Sequence, residues 1–203
     1  MKRIVFVLSM LLVFLTAVSA SADTITYPIS VPNLALSPYP DPYANVLVDL
    51  TDSTYATITM TALSTFAIGG GRAFDLNPNG PVTWSGLTSG FSEDTGSNRN
   101  VSEFGDFILI FNAGNGFSNP YFSVSVTLGL TSGTWANASY VLLPNIDGFA
   151  LAAHFGVPGA TGGYPVTGYA GNGPPIPELS TMFLLGSGLI GLVGYGRRKF
   201  FKK

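Results

Sequence analysis

The run Asp75-Leu76-Asn77-Pro78-Asn79-Gly80 has the D-x-N-x-N-G spacing with which calcium loops open. Ca²⁺ is held by clusters of hard oxygens, and alternating Asp and Asn side chains can set several of them around one ion. Asp75, Asn77 and Asn79 are therefore the candidate metal ligands, and calcium is the candidate cofactor; no other cofactor is expected. A complete loop would also need Glu at position 86, where the chain has Gly86, and Pro78 departs from the pattern. The same residues carry a conformational reading. Asn79-Gly80 is a strong type I′ turn signal between Ala73-Phe74 and Val82-Thr83-Trp84, which predicts a hairpin. A second oxygen-rich stretch, Glu93-Asp94, Asn98, Asn100 and Glu103 with Arg99 in its midst, reads as a solvated loop.

Other chemistries find thinner support. His154 is the single histidine and sits in an apolar run, where packing is its ordinary fate. No G-x-S-x-G offers a nucleophile elbow. Eleven acids leave a carboxylate pair formally open, since sequence spacing does not report spatial separation. No catalytic residue is singled out, and the chain is expected not to be an enzyme. Trp84 and Trp135 could stack on sugar rings or serve as core. Asn100-Val101-Ser102 and Asn137-Ala138-Ser139 fit the glycosylation pattern. Gly186-Ser187-Gly188-Leu189-Ile190-Gly191 satisfies G-x-G-x-x-G, but a nucleotide site needs a βαβ unit and an acid about 20 residues on, where the sequence has neither. Those glycines fit a helix face for close packing in lipid.

The elements that would position these residues are strands. Asn45–Leu50, Tyr55–Thr61 and Phe122–Leu128 alternate apolar with polar, as half-buried strands do. Phe107–Phe111 is apolar on both faces and reads as a central strand, and Tyr140–Leu143 with Gly148–Phe155 reads as a late pair. Turn clusters at 77–80, 112–116 and 144–148 divide them. Many short strands with frequent turns predict an all-β, antiparallel sandwich of jelly-roll type over residues 23–155. The Gly- and Pro-dense stretch 156–175 reads as loop and linker.

Both ends address a membrane. Met1-Lys2-Arg3, the apolar run Ile4–Leu15 and the small residues Ala20-Ser21-Ala22 compose a secretory signal peptide over residues 1–22, with Ala20 and Ala22 at the cleavage positions. Signal peptidase is the implied partner. Near the other end, residues 180–195 are expected as a single transmembrane helix. Leu179 to Tyr195 would span roughly 25 Å as a helix, slightly less than the ~30 Å hydrocarbon core. Arg197, Arg198 and Lys199, with Lys202 and Lys203, make a basic stub at 197–203 that stays cytoplasmic and stops transfer. The chain has no Cys, which excludes disulfides, thiolate metal sites and thiol-linked lipid. Between Asp23 and Glu178 two arginines face eleven acidic residues, a net charge of −9 with no lysine. Such a region repels nucleic acid, which is excluded as a partner.

Pro177-Glu178-Leu179, the apolar helix and the basic end stand in the order of a PEP-CTERM sorting signal, which residues 176–203 resemble. Leu179 replaces the usual third residue of the Pro-Glu-Pro box. The resemblance implies an exosortase that recognises the box and removes the helix, and an exopolysaccharide-producing Gram-negative host. On that reading the precursor is anchored transiently in the inner membrane with its ectodomain in the periplasm. The product then reaches the cell surface or extracellular matrix, where exopolysaccharide is a candidate partner. The function expected is that of a non-enzymatic surface or matrix protein; a calcium- or carbohydrate-binding module on the same route is the alternative.

Overall fold

A computed structural model describes residues 23–172. The readings of 1–22 as signal peptide and of 176–203 as sorting signal fall outside them. Among the described residues no helix is long and apolar enough to cross a membrane.

The alternating segments become strands. β1 (Asp23–Pro32), β2 (Ala44–Asp52) and β3 (Tyr55–Ala62) form a meander. Asp52 fixes the β2–β3 turn, because its Oδ1 accepts from the N–H groups of Thr54 at 2.7 Å and Tyr55 at 2.9 Å. β4 (Ala67–Ile68), β5 (Phe74–Leu76), β6 (Val82–Ser85), β7 (Phe91–Glu93), β8 (Leu109–Ala113), β9 (Ser123–Leu130), β10 (Leu151–Val157) and β11 (Val166–Asn172) follow. Short 3₁₀ turns occupy Ser102–Phe104 and Ala138–Tyr140.

All pairings are antiparallel and run in one path, β6-β9-β3-β2-β1-β11-β10-β5-β8-β7, with β4 added to β10. The sheet curls so that its two ends meet. Trp84 of β6 donates Nε1–H to Glu93 Oε2 of β7 at 2.9 Å, and its ring stands edge-on to Phe111 of β8 at 5.5 Å. Inside the curl, Val46, Val48, Ile58, Met60, Val124 and Val126 join Phe74, Leu76, Phe111, Leu151 and Phe155 in one buried cluster. Each such side chain contributes roughly 1.5–3 kcal/mol on full burial. A smaller cluster lies on the outer side of β8 and β10. There Val101, Phe104 and Phe107 cover Ile110 and Ala152, with Phe149 and Tyr169 at its margin.

The all-β antiparallel class is as expected; several finer expectations change. The described strands form one continuous curled sheet, because β1 and β11 pair with each other and join what would otherwise be two sheets. Residues 166–172, expected within a linker, are β11, so the domain runs past 155 to Asn172. The predicted 73–84 hairpin does not form: β5 pairs with β10 and β8, whereas β6 pairs with β9. Residues 77–79 turn instead to the 140s, where Pro78 bridges Leu142 and the Asn79 N–H donates to Val141 O at 2.9 Å. Tyr140–Leu143 is accordingly a 3₁₀ turn and a bridge, not the strand partner of β10.

Candidate functional site

Two polar surfaces of the sheet differ sharply in exposure. The first is centred on β5, which is buried along its whole length. Phe74 and Leu76 enter the main core, so alternation turns Asp75 to the outer side. There it stands opposite Ile110 of β8 and Ala152 of β10, beneath the covering cluster. Asp75 is fully buried, and neither carboxylate oxygen has a hydrogen-bond partner. Burial holds its pKa well above the carboxylate range; the Arg72 charge opposes that rise and the Asp94 charge adds to it. A buried carboxyl without partners is more stable protonated than charged.

Arg72 is placed by a left-handed backbone at φ 54°, its N–H donating to Asn112 Oδ1 at 2.7 Å and its Nη2 to Asn98 O at 3.2 Å. Asp94 is held below its ordinary pKa, first by the Gly96 N–H at 2.9 Å and then by Asn112, Arg72 and Arg99. Arg99 closes this loop by donating Nη1–H to the Asp94 carbonyl at 2.8 Å. The oxygen-rich stretch is thus a loop braced by both arginines of the described residues.

His154 of β10 lies across the strand pair from Tyr169 of β11. The rings stack at 4.4 Å, and Phe117 meets the imidazole edge-on at 5.1 Å. Nδ1 is buried without a hydrogen-bond partner against Gly70, where a Cβ would lie 2.7 Å from it. Burial lowers the His154 pKa, with a backbone contact at Gly71 opposing. Tyr169 donates its hydroxyl to Gly71 O at 3.3 Å, and burial with the Asp75 charge raises its pKa. His154 and Tyr169 are thus stacked and partly buried, and Tyr169 lies within reach of the fully buried Asp75.

The proposed ligands Asp75, Asn77 and Asn79 have separate tasks. Asn77 Nδ2 donates to Leu143 O at 2.8 Å and Asn79 Nδ2 to Tyr140 O at 3.0 Å, so both amides tie β5 to the 140s segment. Among the described residues no group of three or more His, Asp or Glu is placed to hold a metal ion. Trp135 is core, its Nε1 donating to Asn79 O at 2.8 Å, while Trp84 is partly exposed at the meeting of the sheet ends. Asn137 caps the turn 138–140 by accepting from Ser139 N at 3.0 Å. Pro177, Glu178 and Leu179, the basic residues Arg197, Arg198 and Lys199, and Ala20 and Ala22 lie outside the described residues.

The second surface is the outer face of β6, β9, β3, β2 and β1. Cross-strand register lines up Ser85, Thr127, Thr57, Asp49 and Thr24 in one row. The next row holds Ser125, Thr59, Leu47 and Thr26, and a third holds Ser123, Thr61 and Asn45. Thr57 and Thr127 hydroxyls share a hydrogen bond at 3.2 Å, and those of Thr59 and Ser125 share one at 3.0 Å. Sequence reasoning singled out neither Arg72, Tyr169 nor this face. The Thr57-x-Thr59-x-Thr61 alternation was its visible trace.

No protein-family model, curated protein or solved structure matches the chain.

Proposed function

We propose that this chain is an exported, non-enzymatic surface or matrix protein, delivered through its C-terminal segment and processed there by an exosortase-type enzyme. The carrying observation is the order of Pro177-Glu178-Leu179, an apolar run and the basic stub Arg197–Lys203. The charge pattern supports the same reading, since lysines occur only near the two ends and the region between is strongly acidic. A short, Gly-rich apolar run makes a marginal anchor, suited to temporary residence in the inner membrane. On this reading the curled sheet is a jelly-roll-like ectodomain, its two ends packed over a common core.

Peptide mass spectrometry on protein recovered from the native cell surface tests the proposal. The expected result is a C-terminus near Pro177-Glu178, with the intact tail kept in a strain lacking the processing enzyme. Recovery of the Arg197–Lys203 peptide on the mature surface protein would overturn it.

A further inference from the structure

We propose that the outer face of β6, β9, β3, β2 and β1 docks a neutral polysaccharide chain, with Tyr55 as the stacking platform. Tyr55 opens β3 and is 52 % exposed. Its cross-strand neighbour is Gly129 of β9, followed by Thr83 of β6. A Cβ on Gly129 would lie 3.0 Å from Tyr55 Cε1 and 3.3 Å from Thr83 Oγ1. The ring therefore lies across the glycine, with half its surface in solvent. An aromatic ring with an apolar face and a polar tip suits the C–H face of a sugar with hydroxyls at its edge.

Beside the ring runs the row Ser85, Thr127, Thr57, Asp49 and Thr24, one oxygen-bearing side chain per strand at roughly 4.8 Å intervals. Each hydroxyl can donate once and accept twice, so the Thr57–Thr127 and Thr59–Ser125 pairs keep capacity for a ligand after bonding each other. Mutual bonding also fixes the rotamers, which lowers the ordering cost of binding.

Charge selects the occupant. Arg72 and Arg99, the cations of the described residues, lie on the other polar surface, and this face carries the Asp49 carboxylate. An anionic polymer or nucleic acid would meet repulsion without a partner. A protein partner would want a buried apolar anchor, but Leu47 at 39 % exposure stands here among hydroxyls. A neutral, hydroxyl-rich chain matches what is present. The inference rests on the exported reading only for where such a polymer is met, and binding can be measured whatever happens to the tail.

The test is native affinity electrophoresis of the full chain in a polyoxyethylene detergent, which carries no sugar. Gels contain hydroxyethylcellulose, galactomannan or alginate. Retardation by one of the two neutral polymers is expected, and none by alginate. Tyr55→Ala should weaken it about fivefold, Tyr55→Phe should retain it, and Thr57→Val with Thr127→Val should weaken it with an unchanged melting temperature. Free mobility in both neutral gels, retardation by alginate alone, or a Tyr55→Ala protein that binds like wild type would each overturn the proposal.

Discussion

Replacing Asp75 by Asn removes a charge from a place where the fold gives it no partner. The carboxyl is fully buried, both oxygens lack hydrogen bonds, and its folded pKa lies well above the ordinary value. In the unfolded chain it titrates near ~3.9. Between those two values the native state keeps a proton that the unfolded chain has released. Stability therefore falls as pH rises, by up to about 1.4 kcal/mol per pH unit. The contribution is complete below about pH 4 and is lost once pH passes the folded pKa. Asp75→Asn carries an uncharged group of the same shape at every pH. The two proteins should unfold within about 1 kcal/mol of each other near pH 4, and the variant should pull ahead above it. Each kcal/mol corresponds to roughly 2–4 °C in melting temperature for a domain of this size. Any slope from His154 is common to both proteins and cancels in the difference. Trp84 and Trp135 fluorescence from pH 4 to 8 supplies the melting curves. Parallel curves for the two proteins would refute the reasoning, since they would mean a hydrated carboxyl with ordinary ionisation. Arg72→Ala gives a second arm. Arg72 is the favourable charge acting on the ionised carboxylate, so its loss should destabilise the wild type more than Asp75→Asn only where pH exceeds the folded pKa of Asp75, and equally below it.

His154 acts with the opposite sign. Its lowered pKa stabilises the fold fully above about pH 6.5 and less as pH drops through the folded value; His154→Phe, which can keep the contacts with Tyr169 and Phe117, should flatten that loss in chemical denaturation at pH 5 to 7. Asn145 joins two segments, donating to Phe104 O at 2.8 Å and Asp106 O at 3.1 Å while accepting from the N–H groups of Asp147 and Phe149. Asn145→Ala should cost about 2–3 kcal/mol in urea unfolding, and an unchanged midpoint would show that the 104–106 segment is held otherwise. Gly168→Ala should destabilise by about 1–3 kcal/mol, because the new Cβ would sit 2.6 Å from Asn33 Oδ1 and 2.8 Å from Leu36 Cγ; a melting temperature equal to wild type would contradict this close packing.

Local pattern made β2, β3 and β9 legible, because alternation reports which side of a strand is buried without reference to its partner. Composition likewise exposed the charge asymmetry. β11 was hidden by its own composition. Gly168 and Gly171 suggest a linker, yet a Cβ at Gly171 would lie 2.6 Å from Phe149 Cδ1 and 2.8 Å from Phe104 Cδ1. Here glycine marks close approach of other groups. Likewise Asn79-Gly80 has the composition of a hairpin turn, and Gly80 does take a positive φ of 105°. The flanking segments nevertheless pair elsewhere, β5 with β10 and β8, where Phe74 and Leu76 reach the core, and β6 with β9.

The sequence by itself therefore determined the β class and the acidic, lysine-free middle. The tertiary structure alone decided which strands neighbour one another. That choice put Asp75 under an apolar cover, stacked His154 on Tyr169, and set the hydroxyls of β9 beside those of β3. The reason is physical: side-chain direction is a local property with a period of two, whereas pairing and register depend on contacts far apart in the chain.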